Sequence, residues 1–276
     1  MDNYMLRKIK DRFMRIFIYL ALAAALIPLF SILGEVVLKG ASSINIEFLT
    51  QSTPTVGEVG GGAANAIQGT LITIGLASLI GVPIGLMSGI FLSEYGESKI
   101  PSAVRFFNDV LTGFPSIVIG IFVYTLIVLS IGFSVTAAAF ALAIIMIPIV
   151  TRTTEESMKL VPATIREAAI ALGVPQWKTI VSVVLSGAKK GIATGILLSL
   201  ARVAGESAPV LVTMGYWRWW YAGLDKPVAN LALNIYIFAI SPFENWRALA
   251  WGSSRVLVLL ILGISVLVRT FTREKY

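Results

Sequence analysis

Two charged side chains, Arg202 and Glu206, lie four residues apart in an otherwise apolar part of the chain. On a helix, side chains at this spacing share one face and can form an ion pair. If that helix crosses a membrane, an unpaired charge at its centre costs roughly 2.5–3.5 kcal/mol on insertion scales. Pairing with one carboxylate leaves free donors on the guanidinium, whose fork of N–H groups matches a tetrahedral oxyanion. The pattern fits a structural salt bridge or a cation site in an anion pathway, and we favour the pathway.

A second arginine, Arg152, closes the apolar run IIMIPIVT. A basic residue at this place is either a marker of the cytoplasmic membrane face or a group at the inner mouth of the same pathway. Pro209 closely follows the Arg202–Glu206 pair. Since proline lacks the N–H group of a helical residue, it predicts a broken helix with free backbone groups beside the pair.

The chain contains no cysteine and no histidine. Thiol or imidazole catalysis, disulfides and metal sites built from these residues are therefore excluded. No aspartate falls within a predicted span, so an intramembrane enzyme would lack a pair of acids. The nearest approach to a nucleotide-binding loop, GVPQWKT at 173–179, lacks the second glycine of that motif. We expect no catalytic residue, no metal site and no bound cofactor, so that any ATP must act on a partner.

Apolar segments dominate the sequence. Of its 276 residues, 57% are apolar and only 13% are charged, with a mean hydropathy of +0.84, whereas soluble domains carry about 25% charged residues. Runs long enough to cross a bilayer as helices predict six spans, at 16–34, 67–93, 110–129, 135–151, 191–213 and 248–268. The uncharged run 227–243 is at the lower limit of length, and we interpret it as an external or re-entrant segment. The predicted fold class is an all-α polytopic membrane protein.

Lysine and arginine are distributed unevenly about these six spans. Sixteen fall in the N-terminus, the second and fourth connections and the C-terminal tail, and Arg202 lies within a span. The other five are assigned to the opposite side, including Arg255, which lies inside the last span or near its outer end. Because basic residues are enriched in short cytoplasmic loops, both termini are predicted to be cytoplasmic. The basic N-terminus and first run could form a signal peptide, but the run exceeds the usual length of about 7–15 residues. We therefore expect a multi-pass protein of the cytoplasmic membrane.

Gly81, Gly85 and Gly89 recur every four residues in the second predicted span. Small residues at this spacing form one helix face that a second helix can approach closely. That second helix belongs either to the same chain, which we favour, or to another subunit.

The charged segment between the fourth and fifth spans is longer than a connection requires. It runs for nearly forty residues, whereas helix connections commonly take about 2–8. Good helix formers follow Arg166, Gly173 predicts a helix end, and Pro175 can begin a second helix. We predict two short helices joined by a bend, held outside the bilayer as a docking surface for another protein.

The sequence EAAIALGV in this segment resembles the EAA loop of the ABC-importer permeases, whose pattern is E-A-A-x-x-x-G. Glu167, Ala168, Ala169 and Gly173 match that pattern residue by residue. The resemblance implies a MetI-like permease fold with six transmembrane helices, in which this loop forms a coupling helix inserted into a cleft of the ATPase subunit. The family's I-x-L-P sequence is matched only loosely, by VVLS at 183–186.

We accordingly divide the chain into two parts. Residues 1–64 would contain the first transmembrane helix and an external loop. Residues 65–272 would form the permease domain, with its coupling loop at about 155–190.

Four further stretches are similar to the phosphate-specific members of that family. They are GGGAANAIQGTL at 60–71, PIVTRTTEESMKLVPATIREAA, LARVAGESAP and NLALNIYIFAISP at 230–242. The similarity implies phosphate import by alternating access, with a second permease PstC, an ATPase dimer of PstB that binds ATP and Mg, and an extracytoplasmic phosphate-binding protein PstS. It also implies that Arg152 and Arg202 matter for the passage of phosphate. Another oxyanion, such as phosphonate, molybdate or sulfate, and an ion-coupled secondary transporter remain the alternatives.

Overall fold

The computed structural model describes residues 2–56, 58, 60–96 and 98–272, and every regular element within them is helical. The α-helices, in chain order, are α1 (Asp2–Ser43), α2 (Ile46–Thr50), α3 (Ala64–Tyr95), α4 (Lys99–Gly113), α5 (Ser116–Val123), α6 (Leu129–Ile131), α7 (Val135–Lys159), α8 (Ala163–Ala171), α9 (Gln176–Lys178), α10 (Leu185–Ala204), α11 (Ala208–Met214), α12 (Leu231–Ala239) and α13 (Glu244–Thr272). Two π-helical turns, Tyr124–Val128 and Thr179–Val184, join α5 to α6 and α9 to α10. The predicted all-helical class is confirmed.

Five helices are long and apolar enough to cross a membrane, and a bent pair adds a sixth if it counts as one span. The five are α1, α3, α7, the continuous segment Gln176–Ala204 and α13, and the bent pair joins α4 to Ser116–Ile131. Each of the six predicted apolar runs falls on one of these elements. Helix α12 has nine residues, which is too short to cross a bilayer. This length agrees with the interpretation that 227–243 does not span.

The third span begins later than predicted. The run 110–129 is interrupted at Phe114 and Pro115, where α4 and the following helix meet at an angle of 103°. Proline disfavours helical backbone at the residue before it and has no N–H group to donate. Before the bend, the predicted loop 94–109 is largely occupied by α4, whose Arg105 and Asp109 make it unsuited to lipid.

The fifth span ends earlier than its predicted limit of residue 213. Helix α10 stops at Ala204, and α11 begins after Ser207 with Pro209 in its first turn. A helix break is present near the pair, but it falls at residues 205–207 and not at Pro209, which lies within α11. The break separates the two charged residues, so Arg202 lies in the last turn of one helix and Glu206 precedes the next. The expectation that both share one helix face is therefore wrong, although they still form an ion pair.

Helix α7 packs closely against α3. A Cβ atom added at each of three α3 glycines would come within 2.5–3.0 Å of an α7 side chain. The contacts pair Gly81 with Met146, Gly85 with Val150 and Gly89 with Thr154. Residue numbers rise together along both helices, so α3 and α7 run parallel, as the second and fourth spans must. The interpretation that this glycine stripe serves packing within the chain is confirmed.

A second glycine stripe, on α10, packs against a different face of α7. It pairs Gly191 with Ser157 and Gly195 with Thr153, and it pairs Gly187 with Val161 just beyond the end of α7. The numbers run in opposite directions here, so α10 is antiparallel to α7, as expected for the fifth span. The neighbouring residues Thr153 and Thr154 thus contact α10 and α3 respectively, and α7 is wedged between two close helices.

Helix α1 packs through its C-terminal part against α13. The Arg255 guanidinium donates a hydrogen bond of 3.0 Å to the Val37 carbonyl, and Gly40 lies against the Arg255 side chain. Arg255 is therefore satisfied although it lies in an apolar helix. The cytoplasmic location of the termini and the division at residues 64 and 65 stay predictions, and the basic tail residues Arg273 and Lys275 lie outside the described residues.

Candidate functional site

Arg202 lies in the last turn of α10. Its Nε atom is 3.7 Å from a carboxylate oxygen of Glu206, which is an ion pair without a hydrogen bond. Among the described residues, none accepts a hydrogen bond from the Arg202 guanidinium. The Arg202 side chain is 48% exposed and that of Glu206 is 17% exposed. The guanidinium therefore has a charged partner but retains donors that an anion could use.

A small cavity lies beside Arg202 at the bend between α4 and α5. Its lining comes from Leu111, Thr112, Phe114, Ser116 and Ile119 around the bend, and from Ile145, Pro148, Ile149 and Arg202. The cavity measures about 10 Å³, which is roughly the room of one water molecule. A tetrahedral oxyanion does not fit there in this conformation, so it could reach only the exposed side of the guanidinium.

Arg152 lies in an open polar cleft near the end of α7. Its guanidinium donates to Glu156 at 3.0 Å and to Asp109 of α4 at 3.4 Å, and its side chain is 63% exposed. The cleft has a volume of about 230 Å³ and is lined by Leu92, Arg105, Asn108, Asp109, Arg152, Glu155, Glu156 and Lys159. Exposed ion pairs contribute little stability. Another anion could therefore replace the carboxylate partners of Arg152 at little cost in stability.

One face of α7 connects the two arginines, which do not contact each other. Ile145, Pro148 and Ile149 line the cavity beside Arg202, and Arg152 follows them at helical spacing. With a rise of 1.5 Å per residue, Arg152 is only about 4.5 Å along the helix axis from Ile149. Arg152 of α7 therefore lies on the helix face that also lines the cavity beside Arg202 of α10.

The predicted coupling residues lie in α8 and the turn after it. Glu167 and Ala168 are exposed, whereas Ala169 is buried against the helices beneath. Among the described residues, Glu167 has neither an ion-pair nor a hydrogen-bond partner. Four apolar side chains beside it are also exposed, namely Leu160, Ile170, Leu172 and Trp177. This surface combines one free carboxylate with apolar area, as a protein-binding surface does.

Gly173 forms the turn that ends α8. Its φ is +81°, a backbone region that residues with a Cβ rarely adopt. Its N–H donates to Ile170 at 2.9 Å, and the Val174 N–H donates to Ala169 at 3.1 Å. These two bonds form a Schellman motif, which satisfies the last carbonyls of a helix. The bend between two helical segments predicted at Gly173 and Pro175 is confirmed.

A family model described as the inner membrane component of binding-protein-dependent transport systems matches residues 81–274. Two curated relatives are named phosphate transport system permease protein PstA. The protein of Yersinia pestis is 44% identical over 95% of this chain and 91% of its own length, and that of Haemophilus influenzae is 42% identical over 98% and 96%. The chain belongs to the binding-protein-dependent transport family, among its PstA permeases.

Solved structures of ABC transporters share the fold of this PstA-family permease. An inward-facing methionine transporter, MetNI, matches with a TM-score of 0.60 at 17% identity, over 76% of this chain and 92% of its own. A bacterial transporter that imports alginate matches with a TM-score of 0.60 at 16% identity, over 97% and 100%. The MetI-like permease fold implied by the EAA pattern is therefore confirmed.

Sequence reasoning missed the part that α4 plays in this PstA-family permease. Arg105 donates to Glu155 of α7 and to the carbonyls of Leu92 and Gly96 at the end of α3. Asn108 donates to the Pro148 carbonyl. A signal was available, because Arg105, Asn108 and Asp109 recur at the spacing of one helix face.

Proposed function

We propose that this chain is one of two permease subunits of an ATP-driven importer of inorganic phosphate. The main observation in favour of phosphate as the substrate is the extensive sequence identity with proteins named as phosphate permeases. The chemistry of Arg202 supports it, because a guanidinium with free donors suits a tetrahedral oxyanion. Transport follows an alternating-access cycle between outward-open and inward-open states.

Arg202 contacts phosphate within the span. Almost half of its side chain is exposed, although it lies in the last turn of a helix that is long and apolar enough to cross a membrane. Exposure of a guanidinium to lipid is costly, so charged groups in spans face water or another protein. We infer that the exposed side faces an aqueous pathway between this chain and the second permease. Glu206 pairs with the Arg202 guanidinium between transport events. Their contact is weak enough for phosphate to replace Glu206.

Arg152 acts at the inner mouth of the same pathway. The α7 face that lines the cavity beside Arg202 continues to Arg152. The nearby carboxylates of Asp109 and Glu156 compete with phosphate for its guanidinium. That competition keeps phosphate binding weak, so the ion leaves toward the cytoplasm.

The remaining subunits supply delivery and energy. The extracytoplasmic protein PstS delivers phosphate, the second permease PstC completes the pathway, and a PstB dimer binds ATP and Mg and hydrolyses ATP. This chain binds no cofactor and is not itself an enzyme. The surface formed by Glu167 and the apolar residues around α8 docks on PstB at the cytoplasmic membrane.

Uptake by the reconstituted complex tests this function. Proteoliposomes containing both permeases and PstB, with ATP enclosed and PstS outside, should accumulate radiolabelled phosphate, and vanadate should stop the accumulation. Excess phosphate should compete, whereas sulfate, molybdate and phosphonate should not. Uptake that is insensitive to vanadate but follows an ion gradient would contradict the proposal, as would competition by another oxyanion alone.

Reversal of charge at the coupling surface should weaken docking of the ATPase. We expect Glu167→Lys to reduce PstB recovered in a pull-down by about fivefold or more, since it replaces an exposed carboxylate at an interface with a repulsive charge. Asp11→Lys is the matched control, because Asp11 is also an exposed helical carboxylate but lies on α1. Equal recovery of PstB with Glu167→Lys and with the control would remove Glu167 from the interface.

A further inference from the structure

The coupling helix α8 is attached to the ends of two spans by a single arginine. The Arg166 guanidinium donates to the Glu94 carboxylate at 2.5 Å and to the Met158 carbonyl at 3.1 Å. Glu94 belongs to the last turn of α3, and Met158 belongs to the last turn of α7. One side chain of α8 therefore bridges the C-terminal ends of α3 and α7.

This contact is shielded from water. The Glu94 side chain is 7% exposed and that of Arg166 is 23% exposed. Such a pair is far less screened than an exposed one, and removal of either partner leaves a buried charge without compensation. It differs in this respect from the exposed pairs of Arg152 at the cleft.

Neighbouring residues of α8 face opposite sides. Arg166 and Ala169, three residues apart, are directed toward the helical body, whereas Glu167 and Ala168 are exposed. The helix thus has one face available for an ATPase and another fixed to α3 and α7. It also packs on the π-helical segment Thr179–Val184, which continues into α10.

We propose that the Arg166–Glu94 ion pair is the positioning contact through which α8 moves α3 and α7 as one body during transport. The proposal rests on the proposed function of an ATP-driven importer. The close packing of α3 on α7 carries the movement along both spans. Since α7 contains Arg152 and lines the cavity beside Arg202, motion of α8 reaches Arg152 and the cavity wall that faces Arg202 through α7.

Neutral substitutions test whether the pair couples hydrolysis to transport. The complete complex in proteoliposomes should be compared with Glu94→Gln, with Arg166→Gln and with both changes together. We expect phosphate moved per ATP hydrolysed to fall about fivefold or more, while ATP hydrolysis per assembled complex stays near the parent value. The double variant leaves no unpaired charge, so its assembly should also stay near the parent value. The double variant should lose no more than either single variant, because all three lack the same contact. Asp11→Asn should leave both rates unchanged.

A merely structural role predicts another result. Transport and ATP hydrolysis would then fall in parallel, and the ratio of phosphate to ATP would not move. That outcome, or an unchanged ratio with full activity, overturns the proposal. Failure of the parent complex to take up phosphate with ATP would instead overturn the proposed function, so the two failures are distinguishable.

The absence of native cysteine permits a second test that does not depend on charge. Glu94→Cys combined with Arg166→Cys can be joined by a short, reducible, thiol-specific cross-linker. If α8 and α3 move together, the linked complex regains ATP-driven phosphate uptake, and reduction of the linker removes it again. Inactivity of the linked complex would show that α8 must move relative to α3, which contradicts the proposal.

Discussion

Arg202→Ala is expected to lower phosphate uptake by about 100-fold or more, in line with the loss of one positioned donor group at a charged centre. The physical reason is that the guanidinium replaces part of the hydration of a multiply charged anion, and alanine offers no donor. Arg202→Lys should fall between alanine and the parent, because it keeps the charge but loses the planar fork. Initial rates of radiolabelled phosphate uptake in proteoliposomes of equal protein content would measure the effect.

Two further variants separate a pathway role from a structural salt bridge. Arg255→Ala also removes a guanidinium from an apolar helix, but we expect it to preserve uptake because Arg255 serves the contact with Val37. Glu206→Gln should leave assembly and thermal stability near the parent values, since its 3.7 Å contact is weak. Normal uptake by a stably inserted Arg202→Ala protein would end the pathway role of Arg202.

Gly89→Ala should destabilise the protein by about 1–3 kcal/mol, the range of overpacked cores. Its Cβ atom would lie 2.5 Å from Thr154 Cβ and 2.6 Å from the Thr151 carbonyl oxygen. The carbonyl oxygen belongs to the backbone of a helix, so it cannot turn aside as a flexible side chain would. The free energy of unfolding in mixed detergent micelles would report the loss.

Gly75→Ala is the matched control in the same helix. No atom lies within 4 Å of a Cβ added there. Because alanine favours helix over glycine by about 1 kcal/mol, this variant should be as stable as the parent or more stable. Similar stability of the two alanine variants would mean that α3 and α7 do not pack through Gly89.

The order of the spans could be predicted from the sequence because lipid selects for long apolar helices. The glycine stripe of α3 was visible for a related reason, since its spacing of four residues defines one helix face. The spacing could not show which helix packs against this stripe, because a helix of this chain and a helix of another subunit would require the same small residues. The parallel register with Met146 and Val150 depends on how six spans assemble.

The bend before the third span shows where sequence reasoning ends. A proline at position 115 is compatible with a break in the helix, but proline restricts only the local backbone. The angle of 103° is held by contacts distant in sequence, including Arg105 with Glu155 and Asn108 with the Pro148 carbonyl. At the site, the spacing of Arg202 and Glu206 predicted their ion pair. The small size of the adjoining cavity could not be predicted, because three segments distant in sequence form its walls.

The two glycine stripes that enclose α7 also fix the number of residues in this helix. A single residue inserted between Met146 and Thr153 would rotate everything after it by about 100° and advance it by about 1.5 Å. The side chains of α7 would then be out of register with both Gly89 of α3 and Gly195 of α10. Because α7 is in close contact on both sides, it could not shift away from one helix without colliding with the other. We therefore expect α7 to tolerate substitutions better than changes in its length.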